Sequence, residues 1–220
     1  MKDHPILYSA PMVRAILDGR KTQTRRIVKY NSAIGGIHPA VASIVHRGDG
    51  WFGFEAGEAI KRQYATTFPL HTIRCPYGQS GDRLWVKENH RLLDCTCTET
   101  CRVPGKVFYE ADLSGYDGCL MTKLRPSIFM PRWASRLTLE ITDIKVERLQ
   151  DISDEDAKAE GIEWGRHEPK LPMEGFKIYN GAGITNDPRL SYRSLWESIN
   201  GPGSWDINPW VWALIFRRVV

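Results

Sequence analysis

Apolar residues recur in short period-two runs bounded by glycine clusters, and no long helical segments alternate with them. This pattern constrains the fold most. Arg83-Leu84-Trp85-Val86-Lys87-Glu88 alternates as a half-buried strand does, and the turn cluster Gly78-Gln79-Ser80-Gly81-Asp82 precedes it. Thr22, Thr24, Ile27 and Val28 favour a further strand, as do Lys106 to Glu110 and the mostly apolar run Trp210 to Phe216. From Arg136 to Leu149, Leu137, Leu139 and Ile141 share one face, whereas Ile144 and Val146 fall out of phase. A turn or bulge near Thr142-Asp143 is therefore expected. With no βαβαβ alternation and no phosphate-binding glycine signature, a doubly wound nucleotide fold is disfavoured. The expected class is mainly β with peripheral helices (α+β), as a small, partly closed β-barrel.

Three helices have start and stop signals. Pro11 suits the first turn of one that carries Met12, Val13, Ile16 and Leu17 and stops at Gly19. Ser153 can cap a short, acidic-fronted helix running from Asp154 to Glu160, which Gly161 ends. Asp187-Pro188 opens a third, with Tyr192, Leu195, Trp196 and Ile199 as its apolar stripe and Gly201 as its close. The segments at about 31–80 and 92–126 lack clear periodicity and read as two insertions, the second of them irregular, in a single domain covering 1–220.

Composition excludes several classes. Hydrophobic residues at 42% and charged residues at 25% fit a folded globular chain. Thirty Lys and Arg against 26 Asp and Glu give +4, compatible with an anionic ligand in a locally basic site but not demanding nucleic acid. No run approaches the ~18 apolar residues of a membrane span, and the opening Met1 to Pro5 lacks a signal-peptide core. A cytoplasmic protein without a membrane partner is expected. Five Cys without an export signal argue against a disulfide framework. Cys95-x-Cys97-x-x-x-Cys101, completed by Cys75 or Cys119, suggests a structural zinc, with His90 as another candidate ligand and free thiols as the alternative.

Four motifs occur in order: Gly19-x-Lys21-x-x-Thr24-x-Arg26, Gly81-Asp82-x-Leu84-x-Val86, Asp156-Ala157-x-Ala159-Glu160-Gly161, and the closing aromatic-aliphatic strand. Together they resemble the ASCH domain, a small β-barrel related to the PUA fold of RNA-modifying proteins. The Cys75-Pro76-Tyr77-Gly78 turn and the Pro131 to Arg136 stretch look like the longer ASCH proteins of bacteriophages and prophages. The enzymatic branch of the family comprises N4-acetylcytidine amidohydrolases with a Lys, a Thr and a Glu as catalytic set. The resemblance implies Lys21, Thr24 and Glu160 in those roles, a modified nucleoside or nucleobase as substrate, and no cofactor for catalysis. The Thr24 hydroxyl, where many other ASCH domains would show an acidic residue, tilts the expectation towards the hydrolase; the alternatives are a non-catalytic RNA-binding module or an ASCH-type ribonuclease.

Amide hydrolysis needs a nucleophile, a base and donors for the developing oxyanion. Thr24 Oγ can attack if Lys21 accepts its proton, helped by burial and by the neighbouring cations Arg20, Arg25 and Arg26. Alternatively, Glu160 activates a water while Lys21 polarises the carbonyl and Thr24 orients it. Arg25 and Arg26 are candidate substrate-binding residues, Arg26 either fixing the pyrimidine carbonyl or supporting Glu160. Among aromatics, Trp85, Trp133, Trp196, Trp210 and Trp212 are expected in the core. Tyr8, Trp51, Phe52, Trp164 and Tyr179 lie in less regular stretches and are candidates for stacking on a base, with Tyr8 taken as substrate-binding.

Overall fold

The computed structural model describes residues 1–29, 41–48, 50–56, 72–92, 107–112, 123–165, 174–181 and 183–219. In chain order the first elements are β1 (Asp3–Leu7), α1 (Ala10–Leu17), β2 (Gln23–Ile27), β3 (Val41–Gly48), β4 (Trp51–Ala56) and β5 (Thr72–Arg74). The middle of the chain forms β6 (Arg83–Lys87), β7 (His90–Leu92), β8 (Val107–Tyr109) and the long β9 (Thr138–Arg148). After these come α2 (Asp154–Ala159), β10 (Trp164–Gly165), β11 (Gly175–Lys177), β12 (Ile184–Thr185), α3 (Pro188–Asn200) and β13 (Trp210–Arg218). The protein is mainly β with helices at the periphery, as the sequence predicts.

Local chemistry sets the helix ends. Gly19 closes α1 at φ +75°, in the left-handed region that an L side chain enters at a cost of about 1–2 kcal/mol. Ser153 Oγ accepts the Asp156 amide at the start of α2, and Asp187 Oδ1 accepts the amides of Arg189 and Leu190 at the start of α3. Each cap satisfies donors that the first helical turn leaves unpaired.

The central sheet has the order β1-β6-β9-β13-β2, with β1 parallel to β6 and the other pairs antiparallel. It is open: among the described residues no ladder joins its edges β1 and β2, so no closed barrel is formed, and the end of β1 and β2 flank a gap. The expected irregularity in β9 is a bulge at Thr142, because Asp143 pairs with Ile215 and Ile141 with Phe216. It returns Ile144 to the buried face after the exposed Thr142 and Asp143.

The segment read as a first insertion contains more order than its sequence suggests. Strands β3, β4 and β5 form a three-stranded antiparallel sheet. Phe52 on β4 is buried and meets Trp212 of the central sheet edge-on at 4.9 Å, so this sheet shares the main core. At the second insertion, β7 just before it pairs with β8 inside it, and His90 also bridges to Arg125.

Trp196, Trp210 and Trp212 are buried as expected. Trp133 is corrected: it lies in a short 3-10 turn among prolines and is 65% exposed, since such a turn presents no continuous inward face. Trp85 is half-buried, with Lys87 and Arg132 over its ring. Ile199, at the end of the α3 stripe, is likewise exposed, at the rim of a cleft. Among the described residues no helix is long and apolar enough to cross a membrane.

Candidate functional site

A cleft of about 180 Å³ opens at the gap between the two sheet edges. Its walls are the end of β1 with Tyr8 and Ser9, Met12 of α1, Lys21 with Thr24 to Ile27 around β2, Glu160, and the α3 residues Tyr192, Leu195, Trp196 and Ile199. Arg26 spans the gap by donating from Nη2 to Leu7 O at 2.7 Å.

Lys21 and Glu160 meet because the chain just before β2 runs beside the end of α2. The two residues form an isolated antiparallel bridge, and Thr22 N donates to Ala159 O at 2.9 Å. Glu160 is the C-cap of α2, and both side chains are buried. Lys21 Nζ donates to Glu160 Oε2 at 2.8 Å and to Glu160 O at 2.7 Å. Gly161 makes the approach feasible. At φ +86°, a Cβ there would stand 2.8 Å from Lys21 Cβ and 3.0 Å from Ala15 Cβ. Burial lowers the Lys21 pKa, and the adjacent Glu160 only partly opposes this, so the ammonium gives up its proton more readily than an exposed lysine.

Alternation along β2 sends neighbours in opposite directions. Arg25 turns away from Tyr8 into a carboxylate cluster. Its Nε and Nη2 donate to Glu147 Oε1 at 2.9 and 2.7 Å, Nη2 also to Asp156 Oδ2 at 3.2 Å, and Nη1 to Glu160 Oε1 at 3.1 Å. Gln23 on the same face donates to Asp156 Oδ1 at 2.6 Å. Burial by itself would lower the Arg25 pKa, but Glu160, Tyr192 and Glu147 outweigh it and the guanidinium is held more firmly charged than usual. Arg25, and not Arg26, thus makes the charge-assisted bond to Glu160.

Thr24 and Arg26 belong with Tyr8. The Tyr8 ring has Arg26 Cζ at 5.3 Å and Lys21 Nζ at 5.8 Å over it. Its hydroxyl is buried beside Thr24 without a hydrogen bond of ordinary geometry, and burial drives its pKa well above that of a free tyrosine.

Comparison with protein-family models, with curated proteins and with solved structures found no match.

The cleft therefore brings together Lys21, Thr24, Glu160, Tyr8, Arg25 and Arg26. Of the other aromatic stacking candidates, Phe52 is in the core, Trp51 is exposed beside Arg74, Trp164 meets Phe176 edge-on at 4.7 Å, and Tyr179 accepts the Glu163 amide. None of these four lines the cleft. Arg20, read as part of a basic run, pairs with Asp18 at 3.0 Å and donates to Gly161 O. Glu147 and Gln23 were not singled out from sequence, and Asp156, which opens the third motif, was given no role there, since a polar or acidic residue on a strand or in a helix first turn reads as ordinary solvated surface. Tyr192 and Trp196 carried a signal, the α3 stripe, but one that points equally to a core.

The proposed metal ligands are not assembled among the described residues, where no group of three His, Cys, Asp or Glu side chains could hold an ion. Cys95, Cys97, Cys101 and Cys119 lie outside the described residues. Cys75 is a buried thiol whose pKa burial pushes up to about 11. His90 is fully buried, with Nδ1 3.2 Å from Glu88 O.

Proposed function

We propose that the protein is an amidohydrolase that removes acyl groups from the exocyclic nitrogen of N4-acylated cytosine and cytidine-type nucleosides, on an ASCH-like, PUA-related scaffold. The observation that carries this reading is the buried Lys21–Glu160 pair at 2.8 Å, opening with Thr24 onto a cleft sized for one small heterocycle. The family motifs around Lys21, Asp82 and Glu160 agree with it.

The residues support a two-step route. Lys21, whose ammonium burial makes easier to deprotonate, first releases a proton to solvent; Thr24 Oγ then bonds to the acyl carbon as its proton passes to the Lys21 amine, and the carbonyl π pair moves onto oxygen. Collapse breaks the carbon–nitrogen bond, and the leaving nitrogen takes the proton back from Lys21. Water then attacks the acyl-Thr24 ester, with Lys21 again taking and returning the proton. The products are a carboxylic acid and the free amino nucleoside. Glu160 holds Lys21 in place: its two carboxylate oxygens are bound to Lys21 and Arg25, which leaves it a weaker candidate for activating water.

The test is release of cytidine from N4-acetylcytidine, followed by ultraviolet absorbance. Wild type should turn over, whereas Lys21→Ala and Thr24→Ala should each lose about 10³-fold or more in kcat while remaining folded. A folded wild type that is inactive on base and nucleoside, across several acyl lengths, overturns the reading and moves the RNA-binding module to first place.

A further inference from the structure

An amide hydrolase must place a donor where negative charge develops on the carbonyl oxygen. Around this cleft the cations are already engaged. Lys21 Nζ donates twice to Glu160, Arg25 is spread over three carboxylates, and Arg26 donates to Leu7 O. Among the described residues lining the cleft, two buried donors make no hydrogen bond of ordinary geometry: Tyr8 Oη, which stands close to the Thr24 side chain, and Trp196 Nε1. Leaving such a group unpaired in a folded chain costs about 1–3 kcal/mol. A persistent orphan of this kind points to a partner that arrives with the ligand.

Tyr8 is the one beside Thr24. Its ring already lies under Lys21 and Arg26, so it offers the cleft its hydroxyl in preference to a stacking face. Resting on the amidohydrolase reading, we propose that Tyr8 is a catalytic residue whose Oη donates a hydrogen bond to the carbonyl oxygen of the scissile acyl group. No proton crosses. The phenol stays intact while the π pair resides on oxygen, and the pair returns to re-form the carbonyl as the carbon–nitrogen bond breaks and its electrons leave on nitrogen. Burial suits this role by keeping the phenol protonated across the working pH range.

The experiment is Tyr8→Phe in the full chain, assayed with N4-acetylcytidine and its thioacetyl analogue alongside urea unfolding. Sulfur accepts hydrogen bonds poorly, so wild type should discriminate strongly against the thio substrate. The variant should lose about 10²-fold or more in kcat on the oxygen substrate, with KM within about twofold. It should also lose most of the oxygen-to-sulfur discrimination. Its stability should match or exceed wild type, because phenylalanine removes an unsatisfied hydroxyl. An active wild type whose Tyr8→Phe variant keeps kcat within about threefold, or keeps its full thio discrimination, overturns the Tyr8 assignment alone. A wild type inactive on all N4-acyl substrates overturns the amidohydrolase reading and this assignment with it.

Discussion

Replacing Arg25 with methionine should be among the most damaging single changes outside the apolar core. The guanidinium is 0% exposed and serves Glu147, Asp156 and Glu160, which are 21%, 30% and 4% exposed. Removing one partner of a buried ion pair typically costs about 3–5 kcal/mol, because the charge left behind has neither water nor counterion. Glu160 loses the partner of Oε1 but keeps Lys21 at Oε2, and Glu147 and Asp156 recover some hydration, which places the loss at the low end of that range, about 3 kcal/mol. For a chain of this size that is a fall of about 6–12 °C in Tm. Arg25 has a raised pKa, so its own contribution is fully present below the ordinary arginine pKa and would be lost only in strong alkali. Arg25→Lys keeps the charge but not the fork, and should lose about 1–2 kcal/mol. Urea unfolding at pH 7 is the assay. A loss under about 1 kcal/mol would refute the argument that the cluster is a buried charge network.

Two glycines make a paired test. Gly161→Ala should cost about 2–4 kcal/mol, combining a left-handed φ with contact against Lys21 and Ala15, and should abolish turnover by displacing Lys21; Gly19→Ala, at φ +75° with open space, should cost about 1–2 kcal/mol and leave kcat unchanged. Equal effects in thermal melts and the cytidine assay would contradict the close approach. At Asp82, burial would raise the carboxyl pKa, but the amides of Lys2 and Gln79, together with His4, outweigh it and leave the pKa below the ordinary value. A depressed carboxyl stabilises above its unfolded pKa and stops doing so as pH falls through the folded one. Asp82→Asn should thus cost about 1–2 kcal/mol at pH 7 and little at pH 2.5, as read from denaturant midpoints.

Much of the local structure was legible because its causes are local. A side chain three residues from an orphan amide decides whether a helix starts, as Ser153 and Asp187 do. The slip of apolar phase between Ile141 and Ile144 is enough to require the bulge at Thr142. The three-stranded sheet was less legible, although the alternation on either side of Gly48-Asp49-Gly50 is a hairpin signal, because glycine and histidine dilute its period. Trp133 and Ile199 were misplaced for the complementary reason: an apolar side chain states a preference for burial without saying whether another element arrives to cover it.

The candidate site divides in the same way. The sequence alone, through its motifs and the resemblance they carry, named Lys21, Thr24 and Glu160 and set the helix end on which Glu160 sits. The tertiary structure decided that Lys21 and Glu160, 139 residues apart, are one ion pair, and that Arg25 faces carboxylates from β9 and α2 while Tyr8 keeps an unpaired hydroxyl beside Thr24. Caps, turns and strand periods act over a few residues and are written in the order of the chain. Which charges meet is fixed by the strand order β1-β6-β9-β13-β2, and with it by the gap left between the two edge strands.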